Sequence, residues 1–235
     1  MTRVIRASTH RTVAARSIAE FWATTTGQEH RHDPVLQHTG GPAGNARLTA
    51  WTGIVLLPLF LAEAATLLSL HQLINWHIVL GTLLVPPALL KTASTGWRIA
   101  RYYTGHRPYV DAGPPPLLLR LVGPLVVMTT LALLGTGLAL VALGPRSGHT
   151  SLLALGSLRI SALTLHQFSF ILWVGATAIH LLGRSLPAAR LVAGSPRRST
   201  PGGIGRLITL TATMTAGAVT AWAVLLASRA WAGGS

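Results

Sequence analysis

Residues 158–184 read LRISALTLHQFSFILWVGATAIHLLGR, and this stretch decides the fold class. Between its two arginines it carries no charged side chain, over the length of about 20 residues that a helix needs to cross a bilayer. Four other stretches have the same apolar character. We therefore predict an all-α polytopic membrane bundle of five transmembrane helices, with spans at about 48–70, 73–97, 119–143, 160–183 and 207–228.

The composition supports a membrane protein. Half of the 235 residues are hydrophobic and only 10% are charged, whereas a soluble domain carries about a quarter charged residues. The chain has no cysteine and five acidic residues, which excludes disulfides, iron–sulfur clusters and zinc–thiolate sites and disfavours carboxylate metal cages. The net charge of +14 comes from basic residues that lie between apolar runs. That distribution argues against nucleic acid as a partner.

The loops predict the orientation. Residues 1–47 form a basic, flexible tail, and residues 48–231 form the bundle. With five spans, the tail shares one side with the 98–120 and 184–206 segments, and that side holds fifteen arginines against three on the other. Because positive charge marks cytoplasmic loops, we predict a multi-pass plasma-membrane protein with a cytoplasmic N-terminus.

Ionisable side chains inside the spans are candidates for function, because burying a charge in a bilayer costs at least about 2.5 kcal/mol. They are Glu63, His77, Lys91, His166 and His180. His166 and His180 are 14 residues apart, so they leave one helix face about 21 Å apart along the axis. Two imidazoles placed in this way suit a pair of b-type haems.

The second predicted span repeats this spacing, with His77 followed 14 residues later by Lys91. We predict His77 and His166 as axial metal ligands of one haem and His180 as a ligand of a second. Lys91 either binds haem, extends to the membrane surface or pairs with a carboxylate or propionate. Gly81 lies one turn from His77 and leaves room for a porphyrin edge.

Three arginines at the ends of the predicted spans are further candidates for cofactor binding. Arg159 lies near the outer site, and Arg98 and Arg184 lie near the inner one. They could neutralise haem propionates through charge-assisted hydrogen bonds. Equally, they fit as topology determinants at the ends of helices.

Three runs carry a family resemblance: NWHIVLGTLLVPPALLKTASTGWRIARYYTG, GPPPLLLRLVGPLVVMTTLALLGTGLAL and LHQFSFILWVGATAIH. Over residues 48–184 the chain resembles actinobacterial cytochrome b561-like, or cytochrome b/b6-domain, integral membrane proteins. The resemblance implies a four-helix haem-binding core plus one helix, with His77 and His166 at the outer haem and His180 at the inner one. Lys91 departs from that pattern, so the cofactor is one haem b, or two.

Three functions follow as hypotheses. The first is a b-type cytochrome subunit of a respiratory chain, which passes electrons between the quinone pool and a partner oxidoreductase. It would be an electron-transfer subunit without catalytic residues rather than a stand-alone enzyme. The second is a cofactor-free membrane anchor. The third is a proton or ion transporter that uses Glu63 and Lys91.

Overall fold

A computed structural model describes residues 33–114, 117–155, 158–193 and 200–227. Predictions about residues 1–32 and 228–231 therefore lie outside the described residues. The protein is mostly helical, as predicted. Its elements, in chain order, are α1 (Gly41–Thr66), α2 (Leu70–Tyr103), α3 (Arg107–Asp111), α4 (Leu117–Gly148), β1 (Ser151–Leu155), β2 (Leu158–Ser161), α5 (Ala162–Ala193) and α6 (Gly203–Ala227).

Within the described residues, four helical stretches are long and apolar enough to cross a membrane. They are Gly41–Tyr103, Leu119–Gly144, Ala162–Leu182 and Gly203–Leu226. Large apolar side chains on these stretches are exposed, among them Leu61, Met128, Leu182 and Trp222. An apolar outer surface of this kind is compatible with a bilayer around the bundle.

The first of these stretches folds back on itself. A 3-10 turn at Leu67–Ser69 separates α1 from α2, and Ser69 leaves helical geometry with φ −146° and ψ 56°. The Asn45 side chain donates a hydrogen bond to the Ser94 carbonyl, whereas the end of α1 nearest the turn contacts the start of α2. The two helices are therefore antiparallel. We call the end of the bundle at this turn the hairpin end, and the end at Gly41 the tail end.

Four helices enclose the centre of the bundle. Helix α2 packs against α1 and α4, and α5 packs against α4 and α1, so the contacts close a ring. Inside it, Leu56, Leu84 and Ala88 are buried and pack against partly buried neighbours on α1 and α4. Helix α6 packs mainly on α2. Four helices therefore surround these buried residues, and α6 lies outside them against α2.

Several boundaries differ from the predicted ones. Residues 160 and 161 belong to a strand, because Leu158–Ser161 pairs antiparallel with Ser151–Leu155, and α5 begins only at Ala162. Helix α1 begins before residue 48, at Gly41. Apolarity alone predicts only the membrane-crossing part of a helix, so it predicts neither polar first turns nor short strands.

Helix α6 approaches α2 closely at one glycine. Pro87 has no N–H, so the Leu83 carbonyl lacks its usual partner one turn later in α2, and Gly217 lies against that carbonyl. A Cβ atom at position 217 would stand 2.9 Å from the Leu83 oxygen. Small residues permit such approaches between membrane helices, so this contact depends on glycine.

We expect Gly217→Val to lower the free energy of unfolding in detergent by about 1–3 kcal/mol, because the new side chain must displace backbone. Denaturant or thermal unfolding in micelles measures the change. Gly205→Val is the matched control on α6, because a Cβ atom there meets nothing within 4 Å. Equal losses in both variants would contradict the proposed contact.

Candidate functional site

The structure brings together the two histidines that the sequence pairs. His77 near the start of α2 and His166 near the start of α5 have ring centroids 6.3 Å apart, with ring planes at 83°. Both side chains are half-buried. The parallel course of α2 and α5 explains the encounter, because His77 lies about two turns into α2 and His166 about one turn into α5, both at the hairpin end.

Helix α1 supplies oxygen partners for the first ring. Nδ1 of His77 lies 2.9 Å from Oγ1 of Thr66 and 3.0 Å from Oε1 of Glu63. The sequence reveals no partner for Glu63, because the pairing depends on where the turn between α1 and α2 lies. The pattern of polar residues in the predicted spans makes Glu63 a candidate functional residue. Its contact with His77 follows only from the way in which α1 folds back on α2.

The threonine hydroxyls give a basis for assigning the tautomers of the two imidazoles. Thr66 donates to the backbone carbonyl of Glu63, and Thr136 donates to the carbonyl one turn earlier in α4 at 2.7 Å. A hydroxyl has a single hydrogen, so each accepts from a ring. Thr136 Oγ1 lies 3.1 Å from Nδ1 of His166. This network assigns the Nδ1–H tautomer to both His77 and His166, which leaves the Nε2 lone pair free.

Two glycines make room for this group. A Cβ atom at Gly81 would stand 3.1 Å from Oε1 of Glu63, so the carboxylate fills the space in which we predict a porphyrin edge. A Cβ atom at Gly137 would stand 3.1 Å from Cε1 of His166. Gly137 thus admits the second ring on α4. We call Glu63, Thr66, His77, Thr136 and His166 the histidine cluster.

An apolar layer separates the histidine cluster from the tail end. Phe60 and Trp173 have ring centroids 4.7 Å apart, and Phe60 packs against the buried cluster of Leu56, Leu84 and Ala88. The Trp173 Nε1 donates to Oγ1 of buried Thr130 at 3.0 Å. Trp173 is thereby fixed between α1 and α4, midway along the bundle.

Lys91 lies on the tail-end side of this layer. Its Nζ donates to the Thr49 carbonyl at 3.0 Å and lies against Gly53, where a Cβ atom would be 2.7 Å away. The Thr49 and Ser94 hydroxyls are 2.9 Å apart. The ammonium is therefore directed to α1. His180, a half-buried residue of α5, lies about 21 Å along the helix from His166.

The three arginines are in different environments. Arg98 forms a two-point ion pair with Asp33, at 2.7 and 3.1 Å, which ties the described part of the predicted tail to α2. Arg159 is exposed on β2 at the hairpin end. Arg184 lies in α5, but its side chain is outside the described part. For Arg98 the pairing with Asp33 is the contact that the structure provides.

The donor set restricts the kind of metal group that fits. Across the described ranges, no three His, Asp or Glu side chains gather in an arrangement that could hold a bare metal ion. A haem brings four nitrogens of its own and needs only two axial ligands. The described structure brings two imidazoles, His77 and His166, to a centroid separation of 6.3 Å.

We expect the Trp173–Thr130 hydrogen bond to contribute a coupling energy of about 0.6–1.7 kcal/mol, the range found for interhelical polar pairs in membranes. A double-mutant cycle of Trp173→Phe and Thr130→Val, measured by unfolding in micelles, gives this energy. Thr220→Val provides the control cycle with Trp173→Phe, because exposed Thr220 donates only within α6. A coupling energy no larger than in the control would refute the contact.

Comparison with family models, with curated proteins and with solved structures finds no match to this chain. The function is therefore argued from the geometry of the histidine cluster.

Proposed function

We propose that the protein is a b-type cytochrome subunit of the plasma membrane that binds one haem between His77 and His166. The observation that supports this most strongly is the pair of neighbouring imidazole rings on α2 and α5, each with its Nδ1 within hydrogen-bond distance of a threonine hydroxyl. Metal-ligating histidines characteristically use the second nitrogen in this way, because it fixes the tautomer and orients the ring. When bound, haem b supplies an iron that takes up and releases one electron.

The spacing of the rings fits this ligation. Two imidazoles on opposite sides of one iron have centroids about 6 Å apart, since each metal–nitrogen bond is about 2 Å and each centroid lies about 1 Å further. The observed separation is 6.3 Å. By contrast, a direct N–H···N hydrogen bond between the rings would need nitrogens about 3 Å apart and one ring with its Nε2 protonated.

One haem is favoured over two. His180 would need a second axial ligand on α2, where the chain has Lys91, and the ammonium of Lys91 is bonded to the Thr49 carbonyl. An amine must lose its proton to bind iron, and a protonated lysine donating to a carbonyl has no free lone pair. The proposal therefore assigns the cofactor to the hairpin end.

Five spans and a cytoplasmic N-terminus complete the proposal. The antiparallel contact of α1 with α2 supports counting Gly41–Tyr103 as two spans. Arginines concentrate on the side of the tail end, which supports a cytoplasmic location for it. The haem would then lie in the outer half of the membrane, within reach of a quinone in the bilayer or of a partner redox protein outside it.

Electron transfer is favoured over ion or proton transport by the position of the apolar layer. A path that used both Glu63 and Lys91 would have to pass Phe60 and buried Leu84, which lie between them. The Lys91 ammonium binds the Thr49 carbonyl, and Thr49 lies 14 residues before Glu63 on α1. Glu63 and Lys91 are therefore about 21 Å apart along the helix axis. Two histidine ligands, His77 and His166, would also leave no open position on the iron, which suits a carrier of electrons.

We expect protein purified from haem-supplied cells to contain about one haem per chain and to show a low-spin b-type reduced-minus-oxidised spectrum. His77→Ala and His166→Ala should each abolish haem binding. His180→Ala should retain it, and so should His71→Ala, a control at an exposed histidine. A flat spectrum from folded wild-type protein would refute the proposal and favour a cofactor-free anchor. A fall from two haems to one in His180→Ala would place a second haem there.

A further inference from the structure

We propose that Glu63 is a positioning residue that lowers the reduction potential of the haem by accepting a hydrogen bond from the Nδ1–H of His77. The inference rests on the proposed function and extends it to regulation of the same site. Glu63 would not touch the iron. It would act through the ring that does, by increasing the electron donation of Nε2.

The two histidines have unequal partners. His77 has a carboxylate oxygen at 3.0 Å and a hydroxyl at 2.9 Å, both on α1. The partners of His166 in the described part of the chain are neutral: the Thr136 hydroxyl at 3.1 Å and the backbone carbonyl of Leu133. Hydrogen bonds to an ionised acceptor are roughly twice as strong as neutral ones. The site is therefore asymmetric, with the stronger acceptor on the ligand from α2.

The contact between Glu63 and His77 is part of the packing of α1 against α2 and does not involve a mobile surface residue. The Glu63 side chain is 18% exposed, and its carboxylate occupies the space left by Gly81. Oε2 is buried and has no hydrogen-bond partner among the described residues. The ring of His77 is thus the polar group that contacts the Glu63 carboxylate in the described structure.

The surroundings strengthen the effect of the carboxylate. Lys91 is separated from Glu63 by the apolar layer, and Arg159 is exposed on β2. Charges act over longer distances and with larger energies in a low-dielectric interior than in water. An ionised Glu63 carboxylate bonded to His77 would stabilise the ferric more than the ferrous state, because the ferric iron carries one more positive charge.

The test is the midpoint potential of Glu63→Gln at one fixed pH, after haem per chain has been measured. Glutamine keeps the shape and removes the charge, so we expect the equilibrium constant for reduction to rise at least about tenfold, or about 59 mV for a one-electron couple. Thr66→Val is the matched control, because it removes the neutral acceptor of the same ring and leaves the carboxylate. Its potential should change much less.

The outcomes separate the two proposals. Wild-type protein without haem refutes the proposed function and the inference with it. Haem bound by Glu63→Gln at an unchanged potential refutes the inference alone, since a purely structural residue would alter stability and not potential. If Glu63→Gln loses its haem, the midpoint potential of Gly81→Ala is measured instead. The added methyl group crowds Oε1 and should raise the potential in the same direction, whereas an unchanged potential there overturns the inference.

Discussion

Polar groups inside an apolar bundle need partners on neighbouring helices, because no water is there to bind them. Two helices meet this requirement at the hairpin end. Helix α1 provides Glu63 and Thr66, and α4 provides Thr136, so that the rings of His77 and His166 have oxygen acceptors at their Nδ1 atoms. The turn at Leu67–Ser69 makes this arrangement possible, because it sets α1 against α2 in the register that brings Glu63 to His77.

The rest of the bundle keeps this cluster apart from its surroundings. Phe60, Leu84 and Trp173 form an apolar layer on one side of it, and the small β1–β2 hairpin precedes α5 at the same end. Beyond the layer, Lys91, Thr49 and Ser94 join α1 to α2 through a separate set of hydrogen bonds. The two polar regions thus differ in their chemistry: the histidine cluster contains two imidazoles, whereas the region around Lys91 joins α1 to α2 through hydrogen bonds.

The amino-acid sequence predicts a good part of this account. Apolar length predicts the helices, and the positions of His77 and His166 in two predicted spans that run in the same direction predict that they reach the same depth. It does not predict that Glu63 meets His77, because that depends on the exact position of a turn. Nor does it predict that the Lys91 ammonium points to α1, since a long flexible side chain is directed by neighbours such as Gly53, which only the packing reveals.

The central claim is that α2 and α5 each give one imidazole to a single iron. A crystal structure of the haem-supplied protein in a lipid phase, with data collected at the iron absorption edge, tests this directly. The account predicts one anomalous peak between the rings of His77 and His166, about 2 Å from both Nε2 atoms. A peak elsewhere, or two rings in contact with no iron between them, would contradict it.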